Sequence, residues 1–192
     1  MKTHILCLGD SNTHGYCADP NDCADHGIRF NEEERWTCRL QKALGDEYLV
    51  TEEGLSGRTT VFVDPIHESM DALSVIYALL KSHEVIDLLI IMLGTNDVKE
   101  RFGANAACIA AGMERLILKA KSVDCWGTKQ PNILVVADAF LFDSPAFTVN
   151  YCDISRFEQA IEFYGDNFAA DNCNVTNNTI RDCTYAVHGY FG

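Results

Sequence analysis

The sequence predicts an α/β fold, a three-layer α/β/α sandwich built around a mainly parallel central sheet. Short apolar runs alternate along the chain with longer segments in which apolar residues recur every three to four positions. This alternation is typical of β-α-β units, in which helices cover both faces of a parallel sheet. Residues 85–94 are nearly all apolar, as expected for a central strand that is buried on both faces.

The first half of the chain contains two predicted strands and one predicted helix. Residues 4–9 form a short apolar run that stops at a glycine, which indicates a buried strand. Residues 17–34 are polar and are predicted to form a loop, whereas residues 35–44 have the apolar spacing of a helix. Residues 47–54 are predicted to form the second strand.

The second half continues the alternation. Residues 67–83 and 104–122 carry apolar residues in helical register, and residues 85–94 between them form the third predicted strand. Residues 132–140 are predicted to form a further buried strand, and residues 153–171 a last helix. The predicted order therefore gives parallel strands joined by helices.

Length and composition suit one domain spanning residues 1–192, with a segment from about residue 140 that is atypical. Hydrophobic residues make up 47% of the chain, which is enough for a core, and the sequence lacks repeats and low-complexity runs. The net charge is −13, from 28 acidic and 15 basic residues, and no cluster of lysine and arginine occurs. These features disfavour a nucleic-acid or membrane partner. No segment reaches the roughly 18 apolar residues of a membrane span.

The nine cysteines favour free thiols over a disulfide framework. Their number is odd, their spacing is scattered, and no CxxC pair occurs. The apolar run at the N-terminus is too short for a secretory signal, so we expect a cytoplasmic protein with reduced thiols. The chain also lacks HxH and HExxH patterns, so we expect no metal and no other cofactor.

Polar loops that contain glycine follow three of the predicted strands. GDSN follows the first strand, GLSG the second and LGTND the third. The carboxyl ends of parallel strands meet at one edge of a sheet, where ligands bind. We therefore expect Ser11, Gly57 and Asn96 to lie close together at a candidate active site.

Each of these three residues also has a simpler, structural interpretation. A serine between a strand and a helix is most often an N-cap, a glycine in a loop supplies a turn with positive φ, and an asparagine after a strand forms an Asx turn or a cap. The functional interpretation is a nucleophilic Ser11 whose tetrahedral oxyanion receives hydrogen bonds from the amides of Ser11 and Gly57 and from the Asn96 side chain. The order and placement of the three loops favour this interpretation.

A serine nucleophile requires a general base, normally a histidine oriented by a carboxylate. His188 is the leading candidate, with Asp182 as its nearby acid. Five histidines are weaker candidates, at predicted strand or helix ends or in the polar loop: His4, His14, His26, His67 and His83. Of these, His14 and His26 come next in line.

The segments ILCLGDSNTHGY, EEGLSGRTT and IIMLGTNDVK resemble the first three sequence blocks of the SGNH (GDSL-like) hydrolase superfamily. ERWTCRL and VDPIHE are similar to its branch of bacterial arylesterases and acyltransferases, and the resemblance covers about residues 4–136. It implies the flavodoxin-like fold of that superfamily, with Ser11 as the nucleophile and Gly57 and Asn96 as oxyanion donors. It also implies that homo-oligomers occur among the relatives.

The C-terminal segment departs from the pattern of that superfamily. Its last block places an aspartate three residues before the histidine, but here Tyr185 holds that position and Asp182 lies six residues before His188. Three explanations stay open. Asp182 supplies the carboxylate through an altered loop, His188 works with little carboxylate help, or the segment is altered or truncated and catalysis is impaired.

The expected function is therefore a serine esterase that hydrolyses small carboxylic esters, or transfers their acyl groups, through an acyl-enzyme. A catalytically impaired binding or scaffold protein on the same fold is the alternative. A flavodoxin-like nucleotide binder is a third hypothesis, which the lack of GxGxxG and P-loop motifs disfavours. The expected partner is a small-molecule ester.

Overall fold

The computed structural model describes residues 2–136 with their side chains and, beyond them, the backbone of six short strands. The chain divides into two compact units, Met1–Asp138 and Ala139–Gly192. A single domain over residues 1–192 stays a prediction.

Strands and helices alternate through the first unit, as the sequence predicts. Its elements are β1 (Thr3–Gly9), α1 (Ser11–His14), α2 (Trp36–Leu44), β2 (Tyr48–Gly54), α3 (Ala72–Ser82), β3 (Leu88–Met92), α4 (Ala106–Lys121) and β4 (Ile133–Val135). Three short 3-10 helices lie in the connections, at Pro20–Asp22, Thr95–Val98 and Glu100–Phe102. Among the helices that the structure describes, none has the length and apolar character needed to cross a membrane.

The four strands of this unit form one sheet in the order β2-β1-β3-β4, and every neighbouring pair is parallel. Gly9, the last residue of β1, pairs with Gly54 at the end of β2 and with Met92 at the end of β3. Three strands thus end at the same level, and the loops that follow them start from one edge of the sheet. The parallel sheet and its helices confirm the predicted fold class.

Alternate residues of β1 enter two cores, one on each face of the sheet. Leu6 and Leu8 are buried with residues of α3 and α4, whereas Ile5 and Cys7 are buried with residues of α2. Fully burying a leucine or isoleucine contributes about 1.5–3 kcal/mol, so the helices are held mainly by these contacts. Burial, with a smaller effect from Glu52, raises the pKa of the Cys7 thiol to about 12, and the thiol stays protonated.

Helix α3 begins at Ala72, five residues later than the predicted start at residue 67. Asp71 is its N-cap, and the Asp71 carboxylate accepts a hydrogen bond of 2.8 Å from the backbone N–H of Ser74. Ser69, three residues before the helix, has a φ of 58°, which is incompatible with an α-helix. The apolar spacing of residues 67–71 predicted the helix too early because it took no account of this cap.

In the second unit the structure describes six short strands, paired in parallel as β5 with β8, β6 with β9 and β7 with β10. They are β5 (Thr148–Asn150), β6 (Asp153–Ser155), β7 (Glu162–Gly165), β8 (Asn174–Thr176), β9 (Thr179–Arg181) and β10 (His188–Phe191). The predicted helix over residues 153–171 is wrong, because β6 and β7 lie within it. Its helical spacing was outweighed by residues that favour strands, such as Ile154, Phe163 and Tyr164.

A carboxylate on β2 fastens this strand to the start of α2. Glu52 accepts hydrogen bonds from Arg35, from Nε at 3.0 Å and from Nη2 at 3.3 Å, and one from the Thr37 hydroxyl. Burial would raise the pKa of Glu52, but the hydrogen bonds from Arg35 and Thr37 outweigh it and hold the pKa below its ordinary value of 4.5. A lowered pKa means that the ionised carboxylate stabilises the folded chain.

The substitution Glu52→Gln should lower the free energy of unfolding at neutral pH by about 1–3 kcal/mol, the value of hydrogen bonds to a charged group. The difference should shrink once the pH falls below the ordinary value of 4.5, because the wild-type carboxylate is then progressively protonated as well. Urea unfolding of both proteins across this pH range measures the difference.

Glu33→Gln is the matched control, because the Glu33 and Lys42 side chains form an ion pair in which both are about three-quarters exposed. This substitution should change the stability much less at every pH, since exposed ion pairs contribute little. An equal loss in the two variants would contradict the role assigned to Glu52.

Candidate active site

Ser11 is the first residue of α1, directly after the turn that ends β1. The N-cap of this helix is Asp10, whose buried carboxylate accepts hydrogen bonds from the backbone N–H of Asn12 at 3.0 Å and from Asn12 Nδ2 at 3.1 Å. Capping is therefore performed by Asp10, and the structural interpretation of Ser11 as the cap is wrong. In the described part of the chain, no other side chain forms a hydrogen bond with the Ser11 hydroxyl.

Gly57 lies in a tight turn after β2 and has a φ of 92°, the region that favours glycine. A Cβ at this position would lie 2.8 Å from Cε of Met70, the far end of a flexible side chain that can move aside, so the positive φ is the main reason for a glycine here. The backbone N–H of Leu55 donates to the carbonyl of Gly9 at 3.1 Å, which holds this turn against the end of β1. The positive-φ turn is thus present, and within residues 2–136 the Gly57 N–H has no acceptor.

Asn96 lies in the 3-10 helix after β3, with 6% of its surface exposed. Its Nδ2 donates to the carbonyl oxygen of Arg58 at 3.0 Å and to Oδ2 of Asp10 at 3.4 Å. Arg58 follows Gly57, and Asp10 precedes Ser11. The side-chain amide of Asn96 therefore contacts the immediate neighbours of both other residues, and the structure brings the three loops together.

Arg58 is a buried charge that sequence reasoning did not single out. Its side chain is 6% exposed, and its Nη1 donates to the carbonyl of Gly9 at 3.3 Å and to the carbonyl of Glu53. Burial lowers the pKa of the guanidinium, and the negative charges of Glu53 and Asp10 oppose this effect. The Nε atom is buried and has no hydrogen-bond partner among the described residues, which costs of the order of 1–3 kcal/mol.

Asp97 joins the third loop to the second and was also missed. The carboxylate is fully buried and accepts hydrogen bonds from Thr60, from the backbone N–H at 3.1 Å and 3.2 Å and from the hydroxyl. Burial raises the pKa of Asp97, and the hydrogen bonds from Thr60 partly offset the rise. Thr60 is held in turn by α3, since its carbonyl accepts from the backbone N–H of Leu73 at 3.0 Å.

None of the five histidines whose side chains the structure describes has a ring that hydrogen-bonds to Ser11, and His14 and His26 stay candidates for the general base. Three rings face other polar groups at 2.8–3.6 Å: His4 faces Thr51, His83 faces Glu53 and His67 faces Asp64. His188 is the first residue of β10, but its side chain lies outside the described residues, and so does all of Asp182. Their catalytic roles stay predictions.

Among the described side chains, no three histidine, cysteine, aspartate or glutamate residues are grouped so that they could hold a metal ion. The chemistry that the arrangement offers is that of a serine hydroxyl beside amide N–H groups, which suits attack on a carbonyl carbon.

The profile of the GDSL-like Lipase/Acylhydrolase family matches residues 7–179. The chain belongs to this family. The matched residues include all three loops of the site, whereas Asp182 and His188 follow the end of the match. A search of the curated proteins found no match.

The solved structures that are similar to the chain include an aryl esterase and a carbohydrate acetylesterase. An inhibitor-bound aryl esterase of M. smegmatis is 38% identical, with a TM-score of 0.61 over 70% of this chain and 63% of that one. Est24, a carbohydrate acetylesterase from Sinorhizobium meliloti, is 37% identical, with a TM-score of 0.62 over 72% of this chain and 64% of that one. The matched part of the chain thus spans less than two thirds of the length of each relative.

The substitution Thr60→Val should lower the free energy of unfolding by about 1–3 kcal/mol, because a buried carboxylate loses a hydrogen-bond donor. The loss should be larger at neutral pH than at about pH 4, since the pKa of Asp97 rises further and the charged form becomes more costly to bury. Chemical denaturation at the two pH values measures both effects.

Thr13→Val serves as the control for this prediction. Thr13 is also fully buried, but among residues 2–136 its hydroxyl donates only to the sulfur of Met92, at 3.8 Å, and sulfur is a weak acceptor. Thr13→Val should therefore lower the free energy of unfolding by less than Thr60→Val, and by the same amount at both pH values. If the two valine variants lose the same free energy of unfolding at both pH values, the hydrogen bond between Thr60 and Asp97 does not make the contribution predicted here.

Proposed function

We propose that the protein is a serine esterase that acts on small carboxylic esters through an acyl-enzyme formed on Ser11. The observation that carries this proposal is the position of the Asn96 side-chain amide, bonded to the neighbours of both Ser11 and Gly57. It supports an oxyanion hole that consists of the backbone N–H groups of Ser11 and Gly57 and Nδ2 of Asn96. Family membership and the two esterase relatives support the same reaction.

In the first step, Oγ of Ser11 forms a bond to the carbonyl carbon while its proton passes to a general base. The π electrons of the carbonyl move onto its oxygen, which becomes an oxyanion. Three donors then stabilise this charge, namely the two backbone N–H groups and Asn96. The bond from Asn96 to Asp10 is the longer of its two, at 3.4 Å against 3.0 Å, so the proton on that side is the more easily shared.

The tetrahedral intermediate collapses when the carbonyl re-forms and the bond to the alcohol oxygen breaks. The protonated base gives its proton to the leaving alkoxide, and the acyl group remains on Ser11. Water then attacks the acyl-enzyme by the same sequence of events and releases the carboxylic acid. An alcohol in place of water would transfer the acyl group, which is the second reaction that we propose.

Short acyl groups are the proposed substrates. One structural relative is named as an aryl esterase and another as a carbohydrate acetylesterase, and the second name supports an acetyl ester as the substrate to test first. A cytoplasmic location is also proposed. The six cysteines whose side chains are described are all free, which supports a reducing compartment.

His188 is the proposed base, and Asp182 the proposed acid that orients it. The alternative is a binding or scaffold protein with impaired catalysis, favoured by one observation: Tyr185 stands where the last block of the SGNH superfamily carries its aspartate. The two functions differ in whether Ser11 turns over a substrate, which a direct assay decides.

The substitution Ser11→Ala should reduce the hydrolysis of p-nitrophenyl acetate at least about a thousandfold, because the acyl-enzyme can no longer form. Ser56→Ala is the matched control, since Ser56 is an exposed serine in the neighbouring GLSG loop and should be dispensable. A fluorophosphonate should label Ser11 alone, as read by mass spectrometry. Equal rates for the wild type and Ser11→Ala would favour the binding protein.

His188→Ala should lower turnover by a similar factor, because loss of the base disables the serine. Asp182→Asn should lower it less if the histidine works with little carboxylate help. His67→Ala is the control, since the exposed His67 ring faces Asp64, outside the three loops of the site, and its loss should leave turnover within about twofold. Full activity in His188→Ala would exclude it as the base and direct the search to His14 and His26.

A further inference from the structure

Arg58 occupies a position where a charged side chain is costly. It is 6% exposed, and its buried Nε has no hydrogen-bond partner within the part of the chain that the structure describes. An apolar side chain of similar length would fill the space without an unsatisfied donor. The reason for an arginine must therefore lie in the groups that it binds.

The side chain of Arg58 connects the ends of two adjacent strands. Its Nη1 donates to the carbonyl of Gly9, at 3.3 Å, and to the carbonyl of Glu53. Gly9 ends β1 two residues before Ser11, and Glu53 lies on β2 four residues before Gly57. This cross-link sets the spacing of the two strand ends from which the proposed nucleophile and oxyanion loops begin.

The backbone of Arg58 also forms hydrogen bonds with the loops of the site. Its carbonyl accepts the shorter bond of the Asn96 amide, at 3.0 Å. Its N–H donates to the carbonyl of Leu55 at 3.0 Å and closes the turn around Gly57. One residue is thus bonded to all three loops of the site, and Asn96 receives its orientation through it.

We propose that Arg58 is the positioning residue of the oxyanion hole: through Gly9, Glu53 and Asn96 it holds the three donors at the geometry that the tetrahedral intermediate requires. Arg58 itself does not touch the substrate. This inference rests on the proposed esterase function, because the hole acts on a charge that develops during acyl transfer.

The kinetic test compares Arg58→Met and Arg58→Lys with the wild type. Arg58→Met should reduce kcat about a hundredfold, the effect of losing one oxyanion donor, and should change KM by less than about threefold because ground-state binding is not involved. Arg58→Lys should keep kcat within about fivefold, since both side-chain bonds use the single nitrogen Nη1 and an ammonium can supply them. A rise in KM with unchanged kcat would overturn the proposal.

Arg35→Met is the matched control for the loss of a buried guanidinium. Arg35 is 9% exposed and binds Glu52 and the carbonyl of Phe30, outside the Gly57 and Asn96 loops. This variant should lose stability, as Arg58→Met does, but keep kcat within about twofold. A loss of kcat equal to that of Arg58→Met would mean that any buried arginine has this effect, and the proposal would fail.

A readout without substrate separates this inference from the proposed function. The two Nδ2 protons of Asn96 should give shifted and slowly exchanging signals in a ¹⁵N-correlated NMR spectrum of the wild type, because both are hydrogen-bonded. Arg58→Met should move these signals and speed their exchange, whereas Arg35→Met should not. Unchanged Asn96 signals in Arg58→Met would overturn the positioning role whatever the activity.

Failure of the proposed esterase function and failure of the positioning role of Arg58 give different results. A wild type without Ser11-dependent turnover, together with altered Asn96 signals in Arg58→Met, would remove the esterase function and leave the positioning role. If Arg58→Met does not fold, Arg58→Lys gives the answer in the same spectrum. Its Asn96 signals should match those of the wild type, and a shift would overturn the proposal.

Discussion

The common level at which three parallel strands end is the constraint on which the site depends. β1, β2 and β3 pair so that Gly9, Gly54 and Met92 lie side by side. Because hydrogen bonds and two apolar cores hold this register, a slip would expose the buried residues of a whole strand. Loops that are far apart in the sequence therefore begin at one level, and their polar residues meet without further adjustment.

Hydrogen bonds of buried polar groups fix the relative positions of these loops. Arg58 binds two carbonyls at the strand ends, and Asp97 binds Thr60 across two loops. Both charges are shielded from water, so their hydrogen bonds are stronger than at a surface, and a missing partner is correspondingly costly. The sheet gives the loops their starting points, and these bonds restrict the number of conformations that remain.

The sequence was most informative where the pattern is local. Apolar runs that end at glycine predicted β1 and β3, and the polar residues after them predicted where Ser11 and Asn96 would lie. The start of α3 was missed because the cap at Asp71 competes with helical spacing, and the helix predicted over residues 153–171 is replaced by β6 and β7. Arg58 and Asp97 could not be recognised, since their partners are brought close only by the folded chain. The base and its acid, His188 and Asp182, stay predictions.

Asp10, and not Ser11, caps α1. A serine at the start of a helix often provides the cap itself, but here the Ser11 hydroxyl is not needed for capping. The first turn of the helix keeps its cap whatever stands at position 11, because the carboxylate of the preceding residue provides it. A thiol or a methyl group could replace the Ser11 hydroxyl without unwinding the turn. The site is therefore open to chemical redesign, in which the reactive atom is exchanged and the surrounding loops are kept to hold a substrate or a trapped intermediate.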